Sequence, residues 1–324
     1  AVLKYTNDST WTQFADSAVH WTALTLLNPD APLTLWDMSA DGNWIAAAGP
    51  GSKVYLWNRN TGQKLQQDLH QQNSLRAIAF SPDQSGIVTA GLDNYINKYH
   101  FSAMGSEQLM TNGAPIVDMI LTEDNRLIYC GTDGLLMSLQ ILPTRKLNVL
   151  SENFSGRVSK LATAKMIEKD GTEQTILIAG LKSGLLKLYK LNEDKIIFFR
   201  ELFTHRGMIT DIQVTENGKL IVVALDGKVS VWDINRINDP SYLPLILDDH
   251  KWALSATYIP DENAVLVGSK DGSIRHWLLD AEAYAQKLCT YLQTQETENT
   301  LYINGQEIEV DMENLCPKPT EPIK

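Results

Sequence analysis

Apolar and polar positions alternate along most of this chain in short runs that turn residues separate. In the stretch 250–277, three apolar runs of five to seven residues are divided by Pro260-Asp261 and by Asp271-Gly272. Runs of this length bounded by turn residues are typical of β-strands. A glycine at the second turn accommodates positive φ, which favours a tight hairpin. The stretch is therefore predicted to be a small antiparallel sheet.

The same unit recurs along the chain. A turn residue lies six positions before the third strand's marker residue in the pairs Gly51–Trp57, Asp93–Tyr99, Asp133–Leu139, Ser183–Tyr189, Asp226–Trp232 and Asp271–Trp277. Successive markers are 42, 40, 50, 43 and 45 residues apart. A period of about 40–45 residues with four strands per unit indicates a β-propeller. The predicted fold is therefore an all-β propeller.

The number of blades depends on the ends of the chain. The sixth unit passes from Trp277 to Asp280 without a fourth strand. Because a propeller must cover its open sheet edges, we expect a strand over 21–27 to complete that blade, which gives six blades. Residues 1–20 and the C-terminal hairpin could instead form an irregular seventh blade.

The predicted boundaries divide the chain into three parts. Residues 1–32 are an N-terminal segment that includes the closing strand, and residues 33–279 are the propeller. Residues 280–324 form an appendage, with a helix over 281–293 capped by Asp280. A hairpin over 301–310 follows, because Asn-Gly is a strong hairpin signal, and the end is extended.

Composition and charge limit the classes of partner that this chain is expected to bind. The chain is 44% hydrophobic and 21% charged, as in globular proteins, and no apolar run is long enough to span a membrane. The net charge of −11 comes mostly from residues 1–50 and 280–324, which carry −4 and −6. A nearly neutral body without clustered Lys and Arg excludes nucleic acid as the expected partner. We expect a protein or peptide instead.

Residues 33–279 resemble WD-repeat propellers. The resemblance implies that His250, Ser269, Asp271 and Trp277 form the hydrogen-bonded tetrad of such repeats, which ties a loop to its blade. His205, Asp226 and Trp232 match it in part, with Ala224 where the serine would be. Ser, His and Asp could also form a hydrolase triad, but a nucleophile needs an exposed hydroxyl beside an oxyanion hole. Since Ser269 lies inside a predicted strand, the structural interpretation is favoured.

No other pattern indicates catalysis. The sequence has no GxSxG, HExxH, CxxC, GxGxxG or P-loop motif, and its histidines lack metal-ligand spacing. The first strands over 33–38, 75–80 and 116–121 are mostly apolar and are not expected to offer convergent carboxylates. We therefore expect no cofactor, no metal and no enzymatic activity. A propeller hydrolase or lyase acting in the central channel remains the alternative.

Binding residues follow from the repeat. In WD-repeat propellers, the residues just before and just inside each first strand lie on the top face. The sequence register places there Arg76, Arg157, Met208, Thr210, Trp252 and Leu254. Arg, Trp and Met are enriched at the centres of protein interfaces, although Met208 and Trp252 could simply cover blade edges. These residues predict an interaction or sensor scaffold, and a purely architectural role in a complex stays open.

The tail suggests a larger context. Residues 281–289 and 314–317 are similar to the end of propeller domains in bacterial STAND-type signalling NTPases. That resemblance implies a C-terminal sensor that restrains an upstream nucleotide-binding engine. A chain that begins at Ala1 without Met is expected to be an excised domain or a processed product. Cys289 and Cys316 could form a disulfide, which would place the chain in the periplasm; reduced cysteines favour the cytoplasm.

Overall fold

Strands joined by short turns make up most of the molecule. The computed structural model describes residues 2–5, 11–14, 35–49, 53–58, 60–61, 63–68, 75–101, 105–141, 146–151, 157–168, 170–192, 195–239, 241–248, 251–280, 300–303 and 306–309. Short 3₁₀ turns lie at Ile234–Arg236 and Pro260–Glu262. The strand predicted over 21–27 and the helix predicted over 281–293 lie outside the described residues.

Antiparallel sheets follow one another along the chain. After the hairpin of β1 (Val2–Tyr5) and β2 (Trp11–Phe14), five four-stranded sheets and one three-stranded sheet occur in the described residues. The first three sheets comprise β3 (Leu35–Met38), β4 (Trp44–Ala48), β5 (Lys53–Asn58) and β6 (Lys64–Asp68); β7 (Leu75–Phe80), β8 (Gly86–Gly91), β9 (Tyr95–His100) and β10 (Gly105–Thr111); and β11 (Ile116–Leu121), β12 (Arg126–Gly131), β13 (Leu136–Gln140) and β14 (Lys146–Ser151).

The next three sheets keep the same order. They comprise β15 (Val158–Ile167), β16 (Glu173–Leu181), β17 (Leu185–Leu191) and β18 (Ile196–Phe203); β19 (Ile209–Val214), β20 (Lys219–Ala224), β21 (Lys228–Asp233) and β22 (Leu245–Asp248); and β23 (Ala253–Ile259), β24 (Ala264–Ser269) and β25 (Ile274–Leu278). All six predicted markers lie on third strands. The molecule is a six-bladed β-propeller, which confirms the fold class and the favoured blade number.

First strands lie beside one another. β3 contacts β7, β7 contacts β11, β11 contacts β15 and β15 contacts β19. Side chains of β19 hydrogen-bond to the main chain of β23 at Ala253 and Ala256. Successive sheets therefore meet along their first strands, as blades do around a propeller axis.

The core lies between sheets. Second strands are buried on both faces: every residue of β8 is buried, as are all but the first residue of β12 and of β20. One large cluster joins the fourth and fifth sheets through Ile176, Ile178, Leu220 and Val222. Because both faces of an interior blade pack against apolar neighbours, these strands have near-continuous apolar sequences rather than a strict alternation.

A close approach between two blades occurs at Gly180 in β16. A Cβ atom there would lie 2.7 Å from Ile209 Cγ2 and 2.9 Å from Ile212 Cδ1. Both distances are shorter than van der Waals contact, so only glycine allows β19 to pack this closely against β16. The sequence therefore sets the spacing of the fourth and fifth blades at this point.

Contacts group the chain into two compact units, residues 1–256 with 268–274, and residues 257–267 with 275–324. Within the second unit, β26 (Thr300–Ile303) pairs antiparallel with β27 (Gln306–Glu309). Ile303 is opposite Gln306 in this register, so two residues connect the strands where the hairpin over 301–310 is predicted.

Candidate functional site

A repeated main-chain hydrogen bond defines one end of the blades. The residue before each first strand accepts from the residue that follows the second strand: Thr132 N–H donates to the Pro115 carbonyl, Lys182 to Arg157, Leu225 to Met208 and Lys270 to Trp252, at 2.8–3.0 Å. We call these eight residues the rim. Its backbone is the same in four blades, whereas its side chains differ widely.

A bulge lies near the start of four first strands, and three of these strands follow the rim. The pairing register shifts between Leu75 and Ala77, Ile116 and Asp118, Val158 and Lys160, and Ile209 and Asp211. The bulged residues are Arg76, Val117, Ser159 and Thr210, and of these Arg76 and Thr210 are among the top-face residues predicted from the sequence. A bulge redirects the side chain of its extra residue and is common beside functional sites.

The predicted partner-binding residues differ in how available they are. Arg76 and Arg157 are exposed, Trp252 is 53% exposed and Leu254 is 43% exposed. Met208 is half-buried. The ammonium group of Lys270 lies 4.1 Å from the centre of the Trp252 ring, so a cation covers part of this aromatic surface. The structure brings Trp252 and Lys270 together at the rim, a pairing that sequence reasoning missed.

Thr210 differs from the other five predicted residues. Its hydroxyl lies 3.2 Å from the carbonyl of Val223 and 3.1 Å from that of Ala253 on the next blade. One hydroxyl hydrogen serves these two acceptors, so the side chain is committed to joining the fifth and sixth first strands. The bulged Ser159 is also engaged, because its hydroxyl donates to the Gly180 carbonyl.

A hydrogen-bonded cluster ties the loop before β19 to the fifth blade. His205 Nδ1 lies 3.2 Å from Asp226 Oδ1, and His205 Nε2 lies 3.0 Å from Ser230 Oγ. The indole N–H of Trp232 donates to the same Ser230 oxygen at 3.0 Å. The structure thus places His205, Asp226 and Trp232 together. The hydroxyl comes from Ser230 on the third strand rather than from the second-strand position of Ala224.

The contacts of this cluster are compatible with a neutral imidazole. An indole N–H can only donate, so Ser230 Oγ accepts from Trp232 and still has its own hydrogen to donate to His205 Nε2. Nδ1–H of His205 then donates to the Asp226 carboxylate. Burial lowers the pKa of His205 below its ordinary value of 6.5, against the opposing effect of Asp226. The imidazole is therefore neutral, and no atom of His205 is free to act as a base towards a substrate.

The corresponding residues of the sixth blade are described only in part. His250 lies outside the described residues. Ser269 is buried, and the exposed Asp271 carboxylate binds the ammonium group of Lys251 and the main-chain N–H of Ser273. No described residue accepts from the buried indole N–H of Trp277. The predicted tetrad at His250 thus stays a prediction.

Carboxylates do line the first strands, contrary to the expectation from their apolar sequences. Asp37 accepts from the N–H of Phe80, Asp118 from Leu161 and Asp211 from Ala256, at 2.7–3.1 Å. Each aspartate therefore reaches across to the next first strand. In sequence these strands are apolar runs, and the single acid within each run is the signal that could have predicted the contact.

Lys160 completes a charged cluster on the inner strands. Its ammonium nitrogen lies 3.6 Å from Asp118 Oδ1, and its charge also acts on Asp211. Burial raises the pKa of both aspartates above the ordinary value of 3.8, while Lys160 and the main-chain N–H donors oppose that rise. The cluster joins the third and fourth blades by an ion pair, and the charge of Lys160 also acts on Asp211 in the fifth blade.

Other candidate chemistry is sparse. Cys130 is buried, and burial raises the pKa of its thiol to about 12, so it is not a reactive thiolate. Cys289 and Cys316 lie outside the described residues. Within the described ranges, no group of His, Cys, Asp and Glu side chains could hold a metal ion, and no helix is long and apolar enough to cross a membrane.

Comparison with known proteins identifies the repeats. The family model "WD domain, G-beta repeat" matches residues 63–100, 198–233 and 243–277. A WD repeat-containing protein of Acanthamoeba polyphaga mimivirus is 30% identical over 64 residues, which are 19% of this chain and 12% of that relative. With the sheet topology, these matches show a β-propeller built with WD40 repeats. The family model ends at residue 277, before the residues that carry the resemblance to STAND-type NTPases.

The three matched segments end at residues 100, 233 and 277, which are at or one residue after the markers Tyr99, Trp232 and Trp277. These are the three repeats in which both the turn acid and the third-strand aromatic are present. Each match begins in or just before the outer strand of one blade and ends in the third strand of the next. The unmatched repeats have Gly51, Leu139 or Ser183 at one of the two positions, which explains why their relation is visible in the structure and not in the family model.

Proposed function

We propose that this chain is a non-enzymatic interaction scaffold that binds a protein or peptide across the rim and the bulged residues beside it. The observation that carries the proposal is the repeated main-chain bond at Pro115, Arg157, Met208 and Trp252, which holds different side chains on one constant backbone. Binding residues are often carried on segments that a rigid scaffold positions, and Arg157 and Trp252 are exposed on this backbone. Arg and Trp are the residue types that dominate binding energy at interfaces.

Affinity capture from native extract tests this proposal. The wild-type chain is compared with the double variant Arg76→Ala, Trp252→Ala. The matched control is Ile197→Ala, Phe198→Ala, which removes two exposed apolar side chains from β18, the outer strand of the fourth blade, at the end away from the rim. A partner that the control retains and the rim variant loses supports the proposal. Equal retention by both variants contradicts a site at the rim.

The charged inner strands favour one competing function, a hydrolase or lyase that uses Asp118, Lys160 and Asp211. Carboxylates with a raised pKa beside a lysine can serve acid–base chemistry. The scaffold is preferred because Asp118 and Asp211 each accept a main-chain N–H of the next blade, which gives them a structural task. Turnover on a panel of esters, glycosides and peptides that Lys160→Met abolishes would instead establish the enzyme.

Residues 281–289 and 314–317 are similar to the end of propeller domains in STAND-type signalling NTPases, and this similarity suggests a larger protein around the propeller. We propose that the propeller is the C-terminal sensor of a larger signalling NTPase, and that partner binding at the rim relieves restraint on the nucleotide-binding region. In the full-length protein, nucleotide hydrolysis should rise when the captured partner is added. Hydrolysis that the partner leaves unchanged would favour a purely architectural role within a complex.

A further inference from the structure

The fourth blade departs from its neighbours at the turn between its second and third strands. This turn carries Ser183 where the corresponding turns carry Asp133, Asp226 and Asp271. In the fifth and sixth blades the turn carboxylate is occupied: Asp226 binds His205 and the Arg206 N–H, and Asp271 binds Lys251. The fourth blade thus lacks the turn carboxylate that the third, fifth and sixth blades have.

Three basic residues surround that turn. Arg157 and Lys182 are joined by the 2.9 Å rim hydrogen bond. The Gly184 carbonyl accepts from the His205 N–H at 3.2 Å, and a Cβ at Gly184 would lie 2.2 Å from the His205 oxygen. Arg206, the next residue, is therefore held beside the same turn. We call Arg157, Lys182, Ser183 and Arg206 the basic turn cluster.

The cluster is available for binding. All four of its side chains are exposed. No residue in the described part of the chain forms an ion pair with Arg157, Lys182 or Arg206, although the chain as a whole carries a net charge of −11. Unbalanced cations on an acidic protein are complementary to an anionic partner. Arginine also presents a planar set of donors that matches a carboxylate.

From this charge complementarity we propose that the basic turn cluster binds an acidic, carboxylate-rich segment of a partner protein. The inference deepens the proposed function and rests on it, because it assigns the chemistry of the partner at one sector of the rim. Glutamate or aspartate side chains would bind Arg157, Lys182 and Arg206, and the Ser183 hydroxyl would donate to a carboxylate oxygen.

Fluorescence anisotropy with a labelled glutamate-rich peptide tests the proposal at about 0.1 M salt, where the Debye length is about 10 Å and the distant net charge is screened. We expect the peptide to bind the wild-type chain, and the matched glutamine-rich peptide to fail. Lys182→Glu and Arg157→Glu should each weaken binding about fivefold, the effect of one exposed ion pair. The matched control is Lys195→Glu, because Lys195 is exposed in the same blade at the turn joining β17 to β18, at the other end of the sheet.

Four results would overturn the proposal. They are equal binding of the two peptides, equal loss with Lys195→Glu and Lys182→Glu, equally tight binding of a single-stranded RNA of similar charge, and binding of a phosphopeptide without binding of the glutamate peptide. Circular dichroism and urea midpoints would show that each variant is folded. If capture depends on Trp252 and Arg76 while the glutamate peptide does not bind, only the acidic chemistry fails. If capture does not depend on Trp252 and Arg76 and the glutamate peptide does not bind either, the scaffold proposal is rejected as well.

Discussion

At the residue scale, single polar side chains buried in apolar strands hold the blades in place. Ser230 connects His205 to Trp232 within the fifth blade, and Asp211 connects that blade to the next. A buried polar group without a partner costs more than a surface contact contributes. Removing one of these few polar side chains therefore leaves its buried partner without a hydrogen bond.

Replacing Ser230 by alanine should destabilise the molecule by about 1–3 kcal/mol. The change leaves the Nε2 of His205 and the indole N–H of Trp232 without their shared partner in a buried site. Urea unfolding of the wild type and the variant measures the difference. The control is Ser241→Ala on the exposed turn before β22, expected to change stability by less than about 0.5 kcal/mol. Similar midpoints for Ser230→Ala and the wild type would show that the cluster contributes little.

His205 should make the stability depend on pH. Because the folded state lowers the pKa of this histidine, the unfolded chain binds the proton more readily. The stabilisation is fully present above pH 6.5 and is lost as pH falls below it, with a slope of at most about 1.4 kcal/mol per pH unit. Urea unfolding between pH 8 and pH 5 should therefore show the wild type losing stability relative to His205→Gln. A difference that is constant over this range would contradict a neutral, buried imidazole.

At the element scale, the inner strands carry the contacts that order the blades. Asp211 accepts the N–H of Ala256 at 3.1 Å, and burial raises its pKa. Asp211→Ala should cost about 1–3 kcal/mol because the Ala256 N–H loses its acceptor. Asp211→Asn keeps an acceptor and removes a half-buried charge, so its stability at pH 7 should equal or exceed that of the wild type. Urea midpoints of the two variants give the answer, and equal destabilisation would show that the charge itself is required.

The close approach of the fourth and fifth blades gives another prediction at this scale. Gly180→Ala should destabilise the molecule by about 1–3 kcal/mol, because the added methyl group overlaps Ile209 and Ile212. Gly113→Ala is the matched control, since a Cβ there meets nothing within 4 Å. Thermal or urea unfolding of both variants is the measurement. Equal stability of the two would mean that the two blades separate at little cost.

The strands themselves could be predicted from sequence further than the polar contacts between them. The six-residue spacing predicts the third strand of each blade correctly. This includes the third blade, where Leu139 replaces the aromatic residue, and the fourth blade, where Ser183 replaces the acid before Tyr189. The same reasoning missed Ser230, because it assigned the hydroxyl to the second strand, and missed Asp118 and Asp211, because a run of apolar residues hides one acid. Periodicity describes the faces of a strand, whereas these side chains reach a neighbouring blade that periodicity does not specify.

At the scale of the whole molecule, two charge distributions act on an approaching acidic partner. The net charge of −11 repels it, whereas the basic turn cluster attracts it locally. The salt concentration decides whether repulsion by the net charge or attraction by the cluster dominates. The Debye length is about 30 Å at 0.01 M salt and about 10 Å at 0.1 M. At 0.01 M salt the partner therefore interacts with the charge of the whole molecule, whereas at 0.1 M it interacts mainly with the nearby basic turn cluster.

The association rate of the glutamate-rich peptide should therefore pass through a maximum as salt increases. Raising salt from 0.01 M to 0.1 M removes long-range repulsion and should speed association, whereas further salt screens the cluster and should slow it. Stopped-flow fluorescence measures the rate. Lys182→Glu removes the local attraction, so its rate should only rise with salt, while Lys195→Glu should keep the maximum. If the wild-type rate falls steadily from the lowest salt, local attraction outweighs repulsion by the net charge at every distance. If the rate only rises, the peptide does not bind at the basic turn cluster.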